Sequence, residues 1–230
     1  MRTVFGRFWS TDRSLTVLLL LLAMVVFVIY PLGEMEVGGR LLITLCFSLI
    51  LVSGVGAVAK SFLPAVLVGA LVVANLAVHW LSFWRGGADL DVWDAVMSVL
   101  FCSVLAVVVL VQVFREGPIT SQRIQGAVAV YLLLGLTWAF AYKLIAIERP
   151  DAFVFSTAMG QPSSDEQTSR FVYFSFVTLT TVGYGDITAV HPAPRALVMM
   201  EALTGQLFPA ILLARLVAME LYYRQRRDPG

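Results

Sequence analysis

The chain has 230 residues; 59% are hydrophobic, only 13% are charged, and the formal net charge is +1. That composition excludes a soluble domain and fits a helical protein that crosses a membrane several times. A near-neutral balance gives no footing for a nucleic-acid partner.

Read in chain order, six apolar runs are long enough to span a bilayer as helices: Ser14–Tyr30, Leu41–Ala59, Leu63–Trp84, Val92–Phe114, Gln125–Ile147 and Ala196–Tyr222. Arg2, Arg7 and Arg13 precede the first, so the N-terminus is expected in the cytoplasm. Alternation then puts Lys60, Arg115, Arg123, Arg224, Arg226 and Arg227 inside, and Glu34, Glu36, Asp89, Asp91, Glu148, Asp151, Asp165 and Glu166 outside. Both termini are therefore expected in the cytoplasm of a protein integral to the cell membrane. Leu18–Leu22 behind basic residues also suits a secretory signal, but the run is long for one and no Ala-x-Ala follows. An uncleaved first span is the better reading.

The first four runs, residues 1–114, make an accessory unit. Cys46 and Cys102 fall inside spans and read as small apolar packing residues. Gly54, Gly56 and Gly69 suggest close helix approach. Asn75 and His79 are four apart, hence on one helical face. They read as an interhelical hydrogen bond, with a pH-sensitive pair as the sharper alternative. Arg85, Asp89, Asp91 and Asp94 read as local ion pairs and solvated caps.

Residues 115–230 open with a linker. Gly117-Pro118 breaks any helix running on from the fourth run, and Thr120 or Ser121 is placed to cap a short helix along the inner interface. In the fifth run, Lys143 is expected to snorkel to the headgroups. A polar loop rich in Gly, Pro and Ser follows Glu148. Ser163 and Glu166 have the spacing of a capping box for a short helix over Phe171–Thr180.

That helix aims at Thr178-Leu-Thr-Thr-Val-Gly-Tyr-Gly-Asp186. In an ordinary strand successive carbonyls point to opposite sides. Aiming them all one way needs alternating backbone handedness, which Gly183 and Gly185 permit because they lack Cβ. With Thr181-Val182-Gly183-Tyr184-Gly185 in place, the stretch resembles the selectivity filter of the tetrameric potassium channels. The likeness extends to Tyr173-Phe174, Thr180 and Asp186, and more loosely to the last run.

The resemblance implies an all-α homotetramer: six spans per chain, with a re-entrant pore helix and filter between the fifth and sixth. It implies passive K⁺ conduction, with K⁺ as permeant ion and no cofactor. The carbonyls of Thr181, Val182, Gly183 and Tyr184, with the Thr181 hydroxyl, would form ion sites, and Gly185 would complete the filter. Tyr173 and Phe174 would form an aromatic cuff around Tyr184, with Thr178, Thr180 and Asp186 as further support. Val177 stands where some relatives carry a glutamate paired to the aspartate after the filter. Gly205 would be a hinge, Pro209 a kink, and Gln206, Leu213 and Val217 cavity lining. Glu201, an acid inside a span, is expected to hydrogen-bond behind the filter through Thr178 or to stay protonated.

Voltage-gated relatives carry repeated arginines in the fourth span, whereas Val92–Phe114 has no Lys or Arg. Steep voltage gating is therefore not expected. The chain ends at Gly230, which leaves no cytosolic sensing domain to be expected on it. Two other readings stay open: a cation channel of relaxed selectivity, and a non-conducting membrane subunit. No nucleophile motif, phosphate loop or His/Cys ligand set supports an enzyme.

Overall fold

The computed structural model describes residues 11–29, 44–45, 47–54, 62–85, 87–114, 120–157, 160, 162–163 and 166–227. Helix α1 (Thr11–Met24) runs on into a π-helical turn, Val25–Ile29. Residues 44–45 and 47–54 are helical. Then come α2 (Phe62–Arg85), α3 (Ala88–Val113) and α4 (Ser121–Glu148). A short 3₁₀ turn leads into β1 (Phe153–Phe155). Helix α5 (Gln167–Leu179), β2 (Ile187–Ala189) and α6 (Pro192–Arg227) complete the chain. Helices dominate because apolar surroundings offer a backbone no other partners, so each segment must satisfy its own N–H and C=O groups.

Among the described residues, α2, α3, α4 and α6 are long and apolar enough to cross a membrane, and Leu15–Val28 is a shorter apolar helix. The expected second span is described only at 44–45 and 47–54. Cys46, Gly56, Lys60, Gly117, Pro118 and Asp165 lie outside the described residues.

Two buried apolar clusters hold the fold. The larger gathers Leu18 and Leu22 of α1, Phe47 and Ile50, Val72 of α2, Phe101 and Leu105 of α3, and Leu133 and Leu136 of α4. The smaller gathers Tyr142 and Ala146 of α4, Phe153 of β1, Phe171 and Phe174 of α5, and Ile187 of β2. Helix α4 thus lies in both. A Cβ on Gly54 would sit 3.0 Å from Leu105 Cδ2 and 3.1 Å from Phe101 Cζ, so close approach is real there. Among the described residues nothing lies within 4 Å of a Cβ placed on Gly69, so the close approach expected there is not made by them.

Two other expectations are corrected. Thr120 precedes α4 without a side-chain cap bond, and Ser121 starts one unbroken helix rather than a separate interfacial one. Lys143 does not snorkel: Nζ lies 3.7 Å from Asp94 Oδ2, and the side chain is largely buried. An acid at the same depth on the neighbouring helix offers a partner that headgroups would otherwise provide.

Strands β1 and β2 pair antiparallel, with Phe153 opposite Ala189, Val154 opposite Thr188 and Phe155 opposite Ile187. The ladder is extended by Ser156 N donating to Asp186 O at 2.8 Å and Val190 N to Ala152 O at 2.9 Å. Helix α5 is entered through the expected capping box: Ser163 N donates to Glu166 Oε2 and Glu166 N to Ser163 Oγ, both at 3.3 Å. Arg170 ties the loop down by donating to Gly160 O at 2.7 Å and to Glu166 Oε2 at 3.2 Å.

Candidate functional site

The segment between α5 and β2 has a backbone that few sequences tolerate. Thr181, Gly183 and Gly185 have φ of 60°, 59° and 77°. Every second residue is left-handed. Two of the three are glycine, for which this costs little; Thr181 is β-branched, and surrounding contacts must hold it there. Three backbone bonds do so. Thr181 N donates to Thr178 O at 2.8 Å, Val182 N to Val177 O at 2.9 Å, and Gly183 N to the same oxygen at 3.3 Å. The free carbonyls at the end of α5 thereby anchor the segment. Helix α5 ends at Leu179 with Thr180 as C-cap, where the sequence placed it.

At the far end, Asp186 is gripped three ways. Tyr173 Oη donates to Oδ2 at 2.6 Å, Ile187 N donates to Oδ1 at 3.0 Å, and the main-chain oxygen belongs to the sheet. Tyr173 and Phe174 do not act as one cuff around Tyr184 within a chain. Neighbours on a helix point about 100° apart. Tyr173 therefore reaches Asp186, while buried Phe174 packs on Tyr142 at 5.1 Å and Phe153 at 5.8 Å between ring centroids. Val182 and Tyr184 remain 53% and 71% exposed. Large side chains so uncovered in so constrained a segment lack a packing partner within one chain.

Behind α5, the fully buried carboxyl of Glu201 on α6 joins three helices. Tyr142 Oη of α4 donates to its Oε2 at 2.6 Å. Ser175 Oγ of α5 lies 2.5 Å from its Oε1 and 2.7 Å from Gly135 O. A hydroxyl has a single hydrogen. Both Ser175 contacts are hydrogen bonds only when Glu201 supplies the second proton, so a neutral carboxyl satisfies the whole node. The expected partner, Thr178, is not the one used; Ser175 lies one turn earlier on the same face. Tyr142 and Ser175 escaped sequence reading, and their only signal was polar atoms in an apolar context.

Helix α6 meets α5 at Gly205. A Cβ there would lie 2.7 Å from the Leu179 carbonyl carbon and far inside contact distance of its oxygen. Close backbone approach thus explains this glycine. Helix α6 runs unbroken through Gly205 and Pro209. Gln206 Nε2 donates to Thr181 Oγ1 at 2.9 Å, bringing two sequence-predicted residues together. Leu213 and Val217 stand exposed farther along α6, away from that contact.

Residues 130–220, from within α4 to near the end of α6, match a family model described as an ion channel. Protein LctB of Bacillus caldotenax is 30% identical over 87 residues, which cover 38% of this chain and 64% of LctB. The chain therefore spans less than two thirds of that relative's length. No solved structure matches the chain significantly.

Proposed function

We propose that residues 130–220, which match an ion-channel family model within a helical chain that has membrane-spanning candidates, assemble as four copies into a potassium-selective pore. The observation that carries this reading is the left-handed backbone at alternate residues Thr181, Gly183 and Gly185. Such alternation lets successive main-chain oxygens face one side, where a ring of four strands replaces the water shell of a bare K⁺. Thr181, Val182, Gly183 and Tyr184 supply the carbonyl rings, and Thr181 adds its hydroxyl. The exposed Val182 and Tyr184 side chains find their packing partners in neighbouring copies. Gln206 steadies Thr181 from below, Asp186 holds the mouth through Tyr173, and the C-terminal end of α5 turns its negative dipole toward the ion path.

The N-terminal helices serve as an accessory unit without a voltage-sensing arginine series, so conduction is passive and at most weakly voltage-dependent. Gly205 seats the inner helix against α5, Pro209 one turn on is where that helix can bend, and Leu213 and Val217 line the cavity below Gln206.

The test is Rb⁺ uptake into liposomes loaded with K⁺, comparing the wild type with Gly183→Ala. Added Cβ atoms penalise left-handed backbone by about 1–2 kcal/mol at each of four copies. Uptake is expected to fall at least tenfold while the folded protein is retained. Equal Rb⁺ and Na⁺ uptake would instead favour relaxed selectivity, and no uptake a non-conducting subunit.

A further inference from the structure

Two threonines meet at the end of α5, and their hydroxyls go different ways. Thr180 Oγ1 donates back to Phe176 O at 2.6 Å, within its own helix. Thr181 Oγ1 instead accepts from Gln206 Nε2 of α6 at 2.9 Å. That contact is preset by the backbone on both sides. Gly205, the residue before Gln206, rests so close to α5 that an added Cβ would lie 2.7 Å from the Leu179 carbonyl carbon. Thr181 is held in turn by its own N–H, which donates to Thr178 O at 2.8 Å. Neither Gln206 nor Thr181 is buried within the chain. Among the described residues, Gln206 is the one side chain that donates to residues 181–185.

A hydroxyl oxygen carries one hydrogen and two lone pairs. The Gln206 amide takes one lone pair and leaves a single one for a cation. It also aims the positive end of its own dipole at that oxygen. A cation held by Thr181 Oγ1 therefore faces an N–H that opposes it. The C-terminal end of α5 acts the other way, because its free carbonyls favour positive charge. The amide is a local counterweight to the helix. It acts at the level of Thr181 and not at Val182, Gly183 or Tyr184.

We propose that Gln206 is a positioning residue that tunes the innermost cation ring: through the Thr181 hydroxyl it weakens that ring and shifts ion occupancy outward, toward the carbonyls of Val182, Gly183 and Tyr184. The inference rests on the reading of residues 181–184 as a potassium path. Four copies place four such amides around one ring, so their small dipoles add. An ion at a weakened innermost ring also leaves more readily toward the cavity, which suits a path that must release what it binds.

The experiment is Rb⁺ uptake into K⁺-loaded liposomes with Ba²⁺ on both faces, for the wild type and Gln206→Leu. Ba²⁺ is close to K⁺ in size and doubly charged, so it uses the same oxygens but feels local dipoles twice as strongly. Removing the opposing N–H should let Ba²⁺ block at about tenfold lower concentration, equivalent to about 1.4 kcal/mol. Each protein is referred to its own uptake without Ba²⁺, so loss of folded protein does not register as block. Thr181→Ser keeps the hydroxyl and should keep that response to Gln206→Leu. Thr181→Ala removes the hydroxyl and should abolish the response, which a purely structural amide would leave intact. Should Gln206→Leu not conduct, Gln206→Met, unbranched and of similar length, takes its place. Unchanged or weaker Ba²⁺ block without the amide overturns the proposal and leaves the pore standing, as does an equal shift with and without the hydroxyl. A wild type that takes up no Rb⁺ overturns the pore and this inference with it.

Discussion

Two buried polar nodes flank the same half of α4, one reached through Tyr142 and the other through the adjacent Lys143, and they are built on opposite principles. At Glu201 every polar atom has a partner: Tyr142 on one oxygen, Ser175 on the other, and Gly135 closing the chain. On the α2–α3 seam, Asn75 and Ser98 are equally buried but unbonded. The first node clamps three helices beside the Thr180–Asp186 segment and leaves no polar atom of the carboxyl unbonded. The second leaves buried polar atoms without partners among the described residues, and each such atom costs stability rather than adding it. The node at Glu201 is thus saturated with hydrogen bonds, while the α2–α3 seam leaves bonding capacity unused.

The sharpest way to break this contrast is a pair of glycines. Gly205→Ala drives a Cβ into the Leu179 carbonyl, where neither backbone has room to yield. Melting measurements should show a loss of about 3 kcal/mol, and ion flux should fall with it. Gly69→Ala, in open surroundings on α2, should instead gain roughly 0.5–1 kcal/mol from its better helix former. Similar losses at both sites would erase the distinction.

Next in size is Glu201→Ala. It orphans Tyr142 and opens a cavity, so a loss of about 2–3 kcal/mol is expected in thermal melts. Glu201→Gln, which keeps a donor and an acceptor at the same place, should recover most of it. By contrast, the double change Asn75→Leu and Ser98→Ala should be nearly neutral or slightly stabilising, because it removes buried polar atoms that have no partner among the described residues. A cost as large as that of Glu201→Ala would mean that the seam is as tightly bonded as the filter node.

The smallest effect lies at the exposed rim. His191 Nε2 donates to Asp151 Oδ2 at 3.0 Å, and this hydrogen bond holds the Asp151 carboxyl below its ordinary value. A carboxyl lowered on folding stabilises the fold above its unfolded pKa, and that contribution disappears as pH falls through the lowered folded value. Melting temperatures of wild type and Asp151→Asn should therefore differ slightly at neutral pH and converge below about pH 3.9.

Much of the filter segment was readable because its constraint is local. Only glycine accepts left-handed backbone freely, so Gly183 and Gly185 announce their φ angles from composition alone. The left-handed Thr181 could not be read that way, because contacts with the end of α5 impose it. The node at Glu201 was half readable. An acid inside a span demands a partner, but choosing between Thr178 and Ser175, one turn apart on the same face, depends on how far along α5 the carboxyl sits. Nothing local fixes that register; the packing of Gly205 on Leu179 does. Asp186 was left without its pair for the same reason, since Tyr173 was read for its ring and not its hydroxyl. The α2–α3 seam register became visible only once the contact of His79 Nδ1 with Asp94 Oδ1, at 2.7 Å, had set it.

The stretch from Thr180 to Asp186 is moored at both ends, by amides bonded into the turn of α5 and by a carbonyl in the β ladder. It behaves like a gauge block of set length. Because handedness alternates by single residues, inserting or deleting one would invert the parity of every position beyond it, and no slack at either mooring would absorb the error. The geometry accommodates a change of letter here but not a change in their number.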